Sequence, residues 1–426
     1  MWTYRLYLTA ISLHSVPTSA FTSFDTNCTL PTASYNYVAA PNVRSTLDIT
    51  WTSLATIIAC TFTVLHLNVP EQRDGRDTGW TANVKWWWKG FQPTMEWTII
   101  AILAPEWYAL NAISAYCDAR MTRSFLRSSE NGSSLHRWTL EHAFYVSMGG
   151  YAIRLPEKDT SKVPQSITDR RGDIVHLGAR SFCQMSRRGL LESDCLLSDE
   201  DIADRSKSDA LAKSLAVIQV LYFCTNCIVR ASKQLVISPL EFGTLGFALC
   251  SFISYGCLFN KPRSVKTAVV LNASVFDQDL HIRRYLEDER ADRGAESLKA
   301  TIPNDNVHIA RTRMIVPPLA LAFGAIHFAA WNFSFPTILE QWLWRVCVVC
   351  STAIPPLGFY IGLIPGVTRL PGFGLWGAVD ESSVPYASFG LYSLARGIMI
   401  VLMGRCLFYL PPESFTNTWA ANLPHV

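Results

Sequence analysis

The chain has 426 residues, of which 49% are hydrophobic and only 17% charged, with 14 Trp and a formal net charge of +3. Soluble domains carry about 25% charged residues, and the mean hydropathy here is +0.16. These proportions exclude a disordered chain, a collagen-like fibre and a coiled coil, and the small positive charge, dispersed in loops between apolar runs, leaves no nucleic-acid footprint.

In chain order, residues 1–20 resemble a secretory signal, with one Arg, a short apolar stretch and the small residues Thr18-Ser19-Ala20. Residues 21–47 read as a lumenal arm with a sequon at Asn27. A bilayer span needs about 20 mostly apolar residues. Seven segments meet this, at roughly 48–67, 95–114, 211–230, 240–259, 314–333, 342–363 and 387–410. Trp86-Trp87-Trp88, Trp342 and Trp344 are placed as an interfacial aromatic belt. The fold class expected is an all-α polytopic helical bundle of about seven transmembrane helices with a small α+β extramembrane cap. The domain plan is two helices within 48–114, the cap over 115–208, two helices within 211–259, a polar loop over 260–312, three helices within 314–410 and a tail over 411–426. Tyr151-Ala152-Ile153 and Ile174-Val175-His176 alternate as short strands. Residues 137–153 read either as an amphipathic surface helix or as a short re-entrant segment.

Orientation is contested. A cleaved signal makes both polar insertions lumenal, whereas basic flanks such as Arg120, Arg123, Lys261 and Lys266 favour the cytosol. An eighth segment at 137–153 would reconcile the two and leave the sequons at Asn27, Asn131 and Asn332 lumenal. In either case two spans separate 154–208 from 260–312, so these insertions share one side.

Ionisable groups inside spans mark functional candidates. Glu106 falls mid-span in Ala104-Pro105-Glu106-Trp107 and is the candidate general acid; its alternative is a lock, hydrogen-bonded to Gln219, Asn226 or a Tyr. Glu96, on a continuous helix, would lie about 15 Å away along the axis and cannot form a dyad with it. Glu96, Glu141 and Glu340 are the fallback acids. Trp107, Tyr108, Tyr222 and Trp331 could line an aromatic cavity, since ring faces stabilise cations. Arg230 could contact an anionic substrate or pair with Glu241 across a short hairpin. The clusters Glu200-Asp201-x-x-Asp204 and Asp288-Glu289-x-x-Asp292 have a spacing that can hold Mg²⁺ against a diphosphate, but equally suit solvated helix faces. Cys224-x-x-Cys227 and Cys347-x-x-Cys350 lie in apolar helices, where a packed thiol is the plainer explanation.

Several strings together carry a family likeness. They are Arg44-Ser45-Thr46-Leu47-Asp48-Ile49 with Trp51, His66-Leu67-Asn68-Val69-Pro70, Ile102-Leu103-Ala104-Pro105-Glu106, His142-Ala143-Phe144-Tyr145, Arg205-Ser206-Lys207-Ser208-Asp209 and Leu240-Glu241-Phe242. Over roughly residues 44–260 the chain resembles a large family of fungal multispanning membrane proteins. Some members of it look like the membrane-bound terpene cyclases of ascofuranone- and ascochlorin-type meroterpenoid pathways. No catalytic role transfers residue by residue. The resemblance implies acid-initiated cyclisation of an epoxidised prenyl chain in the endoplasmic reticulum membrane, with no cofactor. It also implies a hydrophobic small-molecule substrate, and pathway enzymes as neighbours in the same bilayer. The competing expectations are a Mg-dependent prenyltransferase and a non-catalytic transporter or receptor-like protein.

Overall fold

The computed structural model describes residues 43–70, 79–128, 138–154, 174–187, 197–205, 210–271, 315–362 and 386–423. The leader and most of the arm, the sequons at Asn27 and Asn131, and the acidic pair Asp288 and Asp292 lie outside them. The described chain is predominantly helical, with eleven α-helices.

Helix α1 (Thr46–Val64) starts on a capping box in which Ser45 and Asp48 exchange side-chain-to-backbone hydrogen bonds. Its patterning is inverted relative to a water-soluble helix. Ser53, Thr56 and Thr63 are buried, whereas Leu47, Trp51, Leu54, Ile58 and Phe62, spaced three or four apart, form an exposed stripe. The buried hydroxyls of Thr52, Thr56 and Thr63 bond carbonyls one turn back, so they carry no unmet polar demand. Gln219 of α7 (Ala210–Ser232) donates to Thr56 Oγ1 across the helix pair at 3.2 Å. Polar contacts inside and hydrocarbon outside are what a lipid environment selects.

Three helical stretches, Thr46–Val64, Ser214–Ser232 and Pro239–Leu258, are long and apolar enough to cross a membrane. The last of these is α8 (Pro239–Leu258). The segment expected at 95–114 is not one continuous helix. It is divided between α2 (Trp80–Leu103) and α3 (Pro105–Ser128), which meet at a 116° bend and count as a fourth span only if taken together. Pro105 has no N–H and disfavours helical geometry at Ala104, so the chain turns there. The fifth expected span shrinks to α9 (Val316–Phe328), whose 13 residues reach about 20 Å against a hydrocarbon core of about 30 Å. Helices α10 (Ile338–Gly362) and α11 (Tyr386–Cys406) are long enough but carry Glu340 and Arg345, and Arg396 and Arg405. One belt placement also changes: Trp344 is fully buried in α10.

The polar insertions contribute a small mixed α/β element. Strand β1 (Tyr151–Arg154) pairs antiparallel with β2 (Ile174–His176) and parallel with β3 (Val269–Leu271). Because β3 comes from the second insertion, one sheet joins the two, with strand order β2-β1-β3. Residues 137–153 do not form one helix. Only α4 (Leu140–Ser147) is helical, eight residues long and largely buried, and it leads straight into β1. Around the sheet pack α5 (Ala179–Arg187) and α6 (Asp199–Arg205), with Tyr145, Met148, Tyr151, Ile153, Phe182 and Ile202 in one core. A separate core of Val64, Trp97, Tyr108, Ala112, Phe144 and Leu258 ties α1, α2, α3, α4 and α8 together.

Candidate functional site

Helix α3 presents two chemically distinct faces. Glu106, in its first turn, is buried, and its Oε1 accepts a hydrogen bond from the Tyr392 hydroxyl of α11. The bend leaves the Leu103 carbonyl without its helical partner, because the Trp107 and Tyr108 amides both turn to Ala104 O. Arg396 Nε fills that vacancy at 3.0 Å, with the Tyr392 hydroxyl at 3.5 Å. Arg396 also reaches His327 Nε2 at 3.3 Å and stacks its guanidinium 4.5 Å from the Phe323 ring centre. His327 Nδ1 sits 2.9 Å from Phe323 O, so Nδ1 carries the proton and Nε2 is the acceptor. Glu106, Tyr392, Arg396 and His327 thus clamp the broken span to α9 and α11. The acid is at a helix start rather than mid-span, and a Tyr is its partner.

The other face of α3 borders a cavity of about 350 Å³. Tyr108, Asn111, Ala112, Ala115, Asp118, Thr122 and Phe125 recur every three or four residues, which aligns them on one side of the helix. Glu106 is two residues from Tyr108, about 200° around the axis, and is not in the wall. The opposite wall comes from the 65–70 segment, α4, α5 and the chain just beyond α8. Trp97 meets the Tyr108 ring edge-on at 5.9 Å between centres. Among the described residues the buried Trp97 indole N–H has no acceptor. Asp118 is the one carboxyl-bearing residue among the described residues of the wall.

Lys261 places a buried cation in the cavity wall. It is buried, at 8% exposure, and its Nζ donates to Asn68 Oδ1 at 2.9 Å. Among the described residues no carboxylate pairs with it. Burial alone pulls the ammonium down from 10.5 to about 7. Lys261 follows the last turn of α8, its amide bonding Leu258 O, so the helix dipole favours its charge in part. An ammonium left without a counter-ion in such a wall is costly unless something binds it.

The remaining predicted residues are dispersed. Glu96 accepts from Gln92 within α2 at 2.7 Å, and Glu141 is half-buried in the first turn of α4. Glu340 pairs with Arg405 and joins α10 to α11. Trp107 is half-buried beside Glu106. Tyr222 is buried on α7. Trp331 stacks on Phe328 and lies 5.2 Å under the Arg345 guanidinium. Tyr222 and Trp331 therefore do not join Tyr108 in the cavity wall.

Arg230 does not pair with Glu241. It donates to the carbonyls of Val236, Glu413, Ser414 and Thr416, fixing the C-terminal segment. Arg44 takes Glu241 instead, at 2.7 and 3.2 Å. Glu200 and Asp204 are exposed, and Asp201 caps α6 through Ser198, whose hydrogen bonds hold its carboxyl below the usual range. Among the described residues no three His, Cys, Asp or Glu side chains gather as a metal would require. Sequence reasoning missed Asn68, Asp118 and Lys261 as site residues. The signal for the α3 wall was its i, i+3, i+4 stripe, obscured because residues from 115 onward were grouped with the polar insertion.

A family of unknown function (DUF8562) matches over residues 18–285, well over half of the chain. The chain belongs to that family. Comparison with curated proteins and with solved structures returns no match. Every cavity-lining residue, from His66 to Lys261, falls inside the family region, whereas His327, Tyr392 and Arg396 fall beyond it.

Proposed function

We propose that the protein is a membrane-bound terpene cyclase of the endoplasmic reticulum that closes an epoxidised prenyl chain by acid initiation. The observation that supports this reading is the aromatic cavity with a single carboxyl among the described residues of its wall, lying between α3 and the helices α4 and α5. Its volume of about 350 Å³ is in the range of small-molecule sites. In this reading Asp118, rather than Glu106, faces the substrate. The Asp118 carboxyl gives its proton to the epoxide oxygen, and the C–O bond opens. The neighbouring alkene closes on the resulting cation. Loss of a proton from carbon to the Asp118 carboxylate then restores the acid. The product is an isomer of the substrate. Trp97, Tyr108, Phe125 and Phe144 supply ring faces to the cation. The seven-span arrangement, with the mixed sheet as an extramembrane cap, belongs to the same proposal.

The test is expression in microsomes with epoxidised prenyl-aromatic compounds, following products of unchanged mass by mass spectrometry and NMR. Asp118→Asn should lose at least about a hundredfold of turnover, within the range for a general acid. Substrate left unconverted by the wild-type protein, or full turnover by folded Asp118→Asn, would overturn the assignment.

A further inference from the structure

We propose that the cavity receives an amphiphile with an anionic head, a carboxylate or phosphate on a hydrocarbon tail, and that Lys261 and Asn68 hold the head. Four observations converge. First, the wall is apolar over most of its extent, with Trp97, Tyr108, Phe144 and Leu258 buried and Met121 and Phe125 exposed where it opens. A hydrocarbon tail suits that surface. Second, Lys261 is more than nine-tenths buried, and among the described residues its ammonium meets only the neutral Asn68 carboxamide. Third, that bond fixes the amide: Asn68 Oδ1 accepts from Lys261, which leaves the Asn68 NH₂ to donate. The two side chains together offer a positive charge and a neutral donor, the set an oxyanion takes. Fourth, the other ionisable groups in the wall favour the same sign. Arg180 and Arg187 of α5 are exposed at the wall, against the one carboxyl of Asp118 among its described residues, with His66, Tyr108 and Cys183 as the remaining titratable groups there.

A helix C-terminus accounts for part of Lys261's placement. It does not account for burying the ammonium in a cavity wall opposite a carboxamide, where a lysine long enough to reach solvent would ordinarily extend to it. A bound anion removes that cost by completing the pair.

The inference deepens the cyclase reading by naming its substrate class, a prenyl chain with an acidic head, yet the binding step stands apart from turnover. Equilibrium binding of dodecanoate, dodecyl phosphate and dodecanol to the full chain in zwitterionic nanodiscs, corrected with empty discs, tests it. At pH 6.5 at least one anion should bind at least about tenfold more tightly than the alcohol, the scale of a hydrogen bond to a charged group. Which anion binds better distinguishes a free acid from a phosphate head. Lys261→Met should erase the preference. Dodecanol binding as tightly as both anions, or an unchanged preference in folded Lys261→Met, would overturn the proposal. The wild-type comparison decides alone should the variant not fold. Anion preference without any turnover would remove the cyclase and leave this site standing.

Discussion

The two faces of α3 treat buried charge in opposite ways. On one face Glu106 and Arg396 are enclosed: Tyr392 donates to Glu106 Oε1 and Arg396 reaches the Leu103 carbonyl and His327, while Glu106 Oε2 has no partner among the described residues. On the other, Lys261 meets a single carboxamide beside about 350 Å³ of open space. The first is a packed polar network that fixes how a broken helix sits against its neighbours. The second has room and a charge to spare. Burial alone therefore does not mark a site: a mid-sequence acid draws attention in an apolar run, but what separates lock from pocket is whether open space adjoins the group.

The comparison can be broken most directly on the closed face. Arg396→Met should destabilise the protein by about 3–5 kcal/mol, the cost of removing one partner from a buried charged network, read by thermal unfolding in detergent. Stability equal to wild type would show that the network is not a lock. Glu106→Gln should cost less, about 1–3 kcal/mol, since the amide oxygen still accepts from Tyr392. Its folded fraction should keep turnover within a few-fold, in contrast to Asp118→Asn. A hundredfold loss in folded Glu106→Gln would return the acid to that face.

The open face is tested by pH. Because the folded Lys261 titrates near 7 and the unfolded one near 10.5, the unfolded chain binds more protons between those values. The Lys261 contribution thus makes stability rise with pH across that window, and the gain is lost as pH falls back through 7. Wild type should become more stable from pH 7 to 9 relative to Lys261→Met, in which this increment disappears. His66, Asp118, Tyr108, Cys183, Arg180 and Arg187 share the cavity and are common to both proteins, so the difference isolates Lys261. Identical slopes would place Lys261 in water. The smallest effect concerns neither face: Ser238→Ala removes the α8 capping box, in which Ser238 and Glu241 bond each other's backbone, and should cost about 1 kcal/mol without altering ligand preference.

Much of the helical framework was legible because a bilayer imposes a simple rule. Apolar runs of sufficient length at 48–67, 211–230 and 240–259 correspond to α1, α7 and α8, and the short alternations at Tyr151 and Ile174 are strands β1 and β2. Propensity and length are local properties, so local sequence carries them. Pro105 was equally visible.

Tertiary structure alone decided the rest. The bend at Ala104 set which face of α3 looks at α11 and which at α4. Arg396 lies 293 residues from the Leu103 carbonyl it satisfies, and Lys261 lies 193 from Asn68. The pairing of β3 with β1, which unites two insertions separated by two helices, has the same character. The physical reason is common to all three. Hydrophobic length and turn chemistry act between near neighbours in sequence, whereas the partner of a buried polar group is selected by packing among helices and strands far apart in the chain.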